Sequence, residues 1–235
     1  MKIVVCMPVR ESVKADTVQC LIDLLAHKNI VGRVQVTGTL IHKARNHLVK
    51  TAISGFKDVT HLLFVDDDMV FTNEDLDKLI EKDKGIIGSL AVERNVPFHP
   101  CVVPRDHKWK NLRFIMNGNA KEEFEVEAIG MGFTLISVEL LKKAIEVKEN
   151  PFYFEEASEY GEDYNFCSIL KGLGETIWVH CDSIVGHIAT LPVTLEHFKF
   201  NLANNPDCKP LRDDIFSYVE DPDDPTDISD GNKTR

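Results

Sequence analysis

The chain has 235 residues, of which 43% are hydrophobic and 28% charged, an ordinary globular composition with length enough for a sizeable core. Its formal net charge of -11 argues against unspecific binding to nucleic acid or to an anionic lipid surface, since both call for a basic footprint. No apolar run approaches the roughly 20 residues that a membrane span needs. Cys6, Cys20, Cys101, Cys167, Cys181 and Cys208 show no Cys-x-x-Cys and no metal-like spacing, so reduced thiols are expected.

The opening residues, interrupted by Pro8, are too short for a signal peptide and predict a first strand over 3–7, with a cytoplasmic location. Asp16 and Gln19 have the spacing of a capping box, for a helix with Val18, Leu21, Ile22 and Leu25 on one face. A second strand is expected over 34–37, and a second helix over 42–54 closed by Gly55. The unbroken run Leu62-Leu63-Phe64-Val65 predicts a strand buried on both faces. Thr72 and Asp75 open a third helix that ends at Lys82 and Lys84 before Gly85, with acids early and bases late as the helix dipole favours. A strand is expected over 85–92.

Residues 100–114 have loop character, are locally basic, and hold Trp109, a candidate acceptor-stacking, lid or contact residue. Residues 126–136 are apolar with glycines at 130 and 132, and Ser137 caps a helix bearing Leu140, Leu141, Ala144 and Ile145. Gly161-Glu162-Asp163 leads into a helix to about Leu170, closed by Gly172 or Gly174, and short strands follow over 176–179 and 183–185. The segment 190–218 is a candidate lid, acceptor-binding helix or oligomer contact. From Asp213 onward eight acids face only Lys233 and Arg235, and with Pro222, Pro225 and Gly231 this predicts a disordered acidic tail over 220–235. Alternating strands and helices predict a doubly wound α/β domain.

The stretch with the most chemistry is Asp66-Asp67-Asp68, at the carboxyl end of the apolar strand, where open α/β sheets bind ligands. On an extended backbone Asp66 and Asp68 point the same way and Asp67 the other. Two carboxylates side by side require a cation, a proton or strong donors between them, which makes a divalent metal the natural candidate. An Asp-rich turn of purely local role is the alternative.

Four features in order resemble the GT-A fold nucleotide-sugar glycosyltransferases, in particular family-two-like members, over roughly the first 190 residues. They are Pro8-Val9-Arg10, Ala44-Arg45-Asn46, the acidic triplet, and Gly130-Met131-Gly132-Phe133 followed by Gly161-Glu162-Asp163. The resemblance implies one GT-A-like domain over 1–219 with a mostly parallel central sheet flanked by helices. Its parts would be a Rossmann-like donor-nucleotide half over 1–95, an acceptor half over 96–190 and a helical extension over 191–219.

It also implies a hexosyltransferase-type enzyme that moves a sugar from a nucleotide-diphosphate donor to a carbohydrate or other hydroxyl acceptor. Manganese or magnesium would be held by Asp66 and Asp68, with Asp68 the direct ligand. His187 would be a further metal ligand, with His180 as its competitor or a structural role as its alternative; an imidazole among carboxylates favours manganese. Asp163, beside Glu162, would be the general base of an inverting reaction, a position that equally serves to cap a helix. Pro8, Arg10, Arg45, Asp66, Asp67, Gly130 and Gly132 would meet the donor; a guanidinium suits phosphate oxygens, although Arg45 on a helix is equally a candidate for a solvated face. The glycines either let backbone approach the sugar or mark a bulge.

Two rivals remain. Asp66-Asp67-Asp68-Met69-Val70 fits the Asp-x-Asp-x-Val motif of haloacid-dehalogenase-type phosphatases, with Asp66 as nucleophile, but two β-α units precede it where that motif normally ends the first strand. The other rival is a sugar-nucleotide or carbohydrate binding protein without turnover. The oligomeric state is open.

Overall fold

A computed structural model describes residues 1–94, 99–104, 123–153 and 161–189. The expectations for Trp109 and for 190–235 concern residues outside these. Strand β1 (Ile3–Val9) leads through α1 (Ala15–Leu25) to β2 (Ile30–Thr37), and α2 (Ile41–Gly55) leads to β3 (His61–Val65). The short β4 (Met69–Val70), α3 (Asn73–Glu81) and β5 (Ile86–Leu90) follow. Beyond them come β6 (Val102–Pro104), β7 (Glu123–Ile129), β8 (Phe133–Ser137) and α4 (Val138–Val147). Helix α5 (Glu162–Gly172), β9 (Ile177–Ile184) and β10 (Gly186–His187) complete the described part. No described helix is long and apolar enough to cross a membrane.

Eight strands form one sheet in the order β2-β1-β3-β8-β5-β9-β7-β6, and β10 pairs with β4 in a small ribbon. Three of the seven pairings in the large sheet are parallel and four antiparallel. The sheet is therefore mixed, not mostly parallel as expected. Two of the antiparallel pairings come from β7, which runs against β9 and β6, and two from β8, which runs against β3 and β5 and has Phe133, Thr134, Leu135 and Ile136 all buried. A strand covered on both faces has the same apolar signature in either direction.

Successive side chains on the central strands enter opposite cores, as the two-residue period of a strand requires. Val4, Cys6, Leu62 and Phe64 pack with Leu48 and Val49 of α2, Leu141 and Ala144 of α4, and Phe166 and Leu170 of α5. Val5, Met7, Leu63 and Val65 pack on the other face with Leu21 and Leu24 of α1 and Leu76 and Leu79 of α3. The result is an α/β/α sandwich.

Several local expectations are corrected. Strand β1 continues through Pro8, because its pairing with β3 ends at Cys6↔Phe64 and no donor is needed on that flank beyond it. Lys14, not Asp16, is the N-cap of α1, and Val18, Ile22 and Leu25 are exposed while Thr17, Leu21 and Leu24 are buried. Strand β2 begins at Ile30, four residues before the expected start at 34. Gly55 belongs to α2, with Phe56 at its C-cap. The apolar run 126–136 breaks at Gly130-Met131-Gly132 into β7 and β8, and the two strands expected late in the chain are one continuous β9. The Thr72–Asp75 capping box forms as expected, and Gly174, at φ +79, is the left-handed residue that stops α5.

Candidate functional site

Parallel β1, β3, β5 and β9 all end at one edge of the sheet, and antiparallel β8 begins there. Loops after four strands and the turn before a fifth therefore meet, together with the first turns of α2 and α5. They enclose a cleft of about 460 Å³ lined by Pro8, Arg10, Arg45, Asp66, Asp67, Asp68, Gly130, Gly132, Glu162, Asp163 and His187. His180 is absent from this lining. It is buried inside β9, where its Nδ1 accepts from the Asp182 amide, so the competing assignment of the metal ligand has no geometric support.

The three aspartates leave the strand in a turn and take three separate partners. The Asp66 amide donates to the Gly132 carbonyl at 3.0 Å, and its carboxylate takes Arg45 Nη2 at 3.0 and 3.3 Å. Asp67 Oδ2 accepts the Arg10 amide at 2.8 Å, which ties this turn to the end of β1. Asp68, 4% exposed, accepts Arg94 Nη1 at 2.5 Å on one oxygen and faces His187 Nε2 at 3.2 Å with the other. Protein cations thus answer the like-charge repulsion that made a metal the first candidate.

Arg45 does not lie on a solvated face. It is 3% exposed, stacked 5.5 Å from the centroid of Phe64, and its Nε donates to Glu162 Oε1 at 2.9 Å. Nη1 is buried without a hydrogen-bond partner among the described residues. Burial opposes its charge, but Asp66 and Glu162 more than compensate and raise its pKa. Asp66 is pushed above the usual carboxylate range by burial, against the pull of Arg45.

Glu162 and Asp163 form the first turn of α5 after Gly161, where acids suit the helix dipole. Asp163 Oδ1 accepts the Tyr164 amide at 2.8 Å, and Oδ2 would lie 3.8 Å from a Cβ at Gly130. Burial, with the neighbouring charge of Glu162, pushes its carboxyl up to about 6. A second hollow of about 540 Å³ shares Asp163, Gly130 and Cys101 with the first.

Both glycines of the turn are closely approached. A Cβ at Gly130 would meet Cys101 Cβ at 3.2 Å, and one at Gly132 would meet Met69 Sδ at 3.1 Å.

Among the described residues no group of three or more His, Cys, Asp or Glu side chains is placed to cage a metal ion. Small hard cations do not need such a cage, since they commonly take one or two carboxylates and complete their shell with water and substrate phosphate. The donor set of Asp68 and His187 fits that pattern. His187 Nδ1 donates to the Val92 carbonyl at 3.0 Å, so in the neutral ring Nε2 presents its lone pair toward Asp68. Two acceptors 3.2 Å apart require a cation or a proton between them. Two adjacent ligands of an octahedral ion at about 2.1 Å lie about 3.0 Å apart. With only protein groups present, the bonds to Asp68 and Cys101 push the His187 pKa up to about 10. Asp68 in turn stays below its ordinary value despite partial burial, because His187 and Arg94 stabilise its charge.

Arg94 was not among the candidates read from the sequence. The available signal was a cation just past the end of β5, at the same sheet edge as the acidic triplet.

The architecture is an α/β fold similar to the GT-A type. No family model matches the sequence, and no curated protein matches it. Among solved structures the chain is similar to A197 from STIV, at 18% identity and a TM-score of 0.51, over 83% of this chain and 97% of that one. It is also similar to GalNAc-T7, solved with UDP, GalNAc and Mn2+, at 14% identity and a TM-score of 0.50. That match covers 81% of this chain, which spans 43% of the length of GalNAc-T7. At such identities the likeness is one of fold.

Proposed function

We propose that the protein is a metal-dependent glycosyltransferase that moves a sugar from a nucleotide-diphosphate donor to an acceptor hydroxyl, with inversion. The observation that carries the reading is the placement on one cleft of an Asp68–His187 donor pair 3.2 Å apart and a carboxylate, Asp163, whose pKa lies near 6. Fold likeness to a protein solved with UDP, GalNAc and Mn2+ supports it.

Asp68 and His187 would hold manganese or magnesium. When bound, the ion supplies positive charge against the departing nucleoside diphosphate. Asp66, fixed by Arg45, orients the floor of the donor cleft. Asp163 takes the proton of the acceptor hydroxyl as that oxygen attacks the anomeric carbon, the task for which a carboxyl poised near neutrality is suited. Its position at the junction of the two hollows supports a donor in the first and an acceptor in the second.

Incubation with a panel of nucleotide sugars, with and without manganese, tests the reading. Manganese-dependent release of nucleoside diphosphate is expected. Release of phosphate from an aryl phosphate, with no turnover of any nucleotide sugar, would instead establish the phosphatase chemistry.

A further inference from the structure

Among the described residues Arg94 is a cation paired with the carboxylate assigned to the metal. Its Nη1 lies 2.5 Å from Asp68 Oδ2, while His187 Nε2 faces the other oxygen of the same group. The two contacts differ in burial. The His187 side chain is 18% exposed and tethered to Val92, whereas the Arg94 side chain is 46% exposed and lines the open cleft. Asp68 is enclosed at 6% side-chain exposure, but solvent reaches the pair from the guanidinium side, where it screens the attraction and lets Arg94 exchange. Arg94 also follows β5, so it projects from the sheet edge above the same carboxylate. A guanidinium prefers the forked geometry of phosphate oxygens to a single carboxylate oxygen.

We propose that Arg94 is a placeholder cation, which occupies Asp68 Oδ2 until a divalent ion loads and then transfers its guanidinium to the diphosphate of the incoming nucleotide. The inference rests on the glycosyltransferase reading and deepens it: one residue opposes metal binding alone and favours metal and nucleotide together. His187 stays in place throughout.

Binding measurements on the full chain without any turnover provide the test. Manganese titrated into Arg94→Ala in the absence of nucleotide should bind about three- to fivefold tighter than in the wild type, the loss of one half-exposed competing pair. At saturating manganese, ADP, GDP and UDP should bind the variant on the order of tenfold more weakly than the wild type wherever the wild type binds them. Opposite signs in the two titrations separate this role from misfolding, which would weaken both. Arg94→Lys should restore the wild-type metal affinity but only part of the nucleotide affinity. A variant that weakens manganese, or leaves both affinities unchanged while the wild type binds both ligands, overturns the placeholder role alone. A wild type that binds neither manganese nor any of the three nucleotides overturns that role and the glycosyltransferase reading together.

Discussion

Arg45 and Glu162, 117 positions apart in the chain, meet through a 2.9 Å bond from Nε to Oε1 in which the guanidinium is almost wholly removed from solvent. The same guanidinium holds Asp66 through Nη2, so one buried cation joins the acidic turn after β3 to the acidic start of α5. Arg45 therefore orients two carboxylates of the cleft. Arg45→Met leaves buried Glu162 and part-buried Asp66 without their counter-charge and should destabilise the fold by about 3 kcal/mol, measured by urea unfolding. Adding Glu162→Gln to that variant should recover part of the loss. Equal stability of the single and double variants would disprove the coupling.

Asp163 sets a pH window. Its carboxyl, raised to about 6, is a base only once ionised, so transfer should be lost as pH falls through about 6 and reach a plateau above it. Stability runs the other way. Because the folded-state value is raised, the contribution of the protonated group is fully present below the unfolded value near 3.8 and disappears as pH rises through about 6. Asp163→Asn should remove this slope, keep manganese-dependent nucleotide binding, and lower transfer about 10²- to 10⁴-fold. Unchanged transfer by Asp163→Asn would remove it as base and favour a retaining mechanism.

The two histidine candidates separate cleanly by position. His187→Ala should weaken manganese binding about 10-fold or more, read by isothermal titration, since it removes one of two protein donors. A His180 variant should leave manganese affinity within experimental error of the wild type, because the residue is enclosed in β9 outside the cleft. Asp68→Ala should abolish the thermal stabilisation that manganese gives the native state.

Gly132 is a packing requirement. A methyl group there meets Met69 Sδ at 3.1 Å and Cε at 3.3 Å, and stands 3.7 Å from Asp66 Oδ2. Methionine is adaptable, so Gly132→Ala should cost about 1 to 2 kcal/mol in urea unfolding without loss of the fold. The displaced Met69 belongs to β4, which pairs with β10 at His187, so metal affinity should fall as well.

The primary structure by itself determined the parts whose cause is local. The double-faced burial of Leu62 to Val65, the Thr72–Asp75 cap, the acidic pair opening α5 and the two β-α units before the triplet follow from hydrophobic period and capping chemistry within a few residues. The acidic triplet could be placed because loops at the ends of such strands gather at one edge, whereas the other cleft residues were named from the resemblance to GT-A fold glycosyltransferases. What only the tertiary structure decided is direction and pairing. Nothing in Phe133-Thr134-Leu135-Ile136 distinguishes a parallel from an antiparallel strand, and that choice helped to make the sheet mixed and set Gly132 against Asp66. Nor does a helical Arg45 reveal which face is buried, or Arg94 that its partner is an aspartate 26 positions earlier. Ion pairs of this kind depend on distances between chain segments far apart in sequence, which no local pattern encodes.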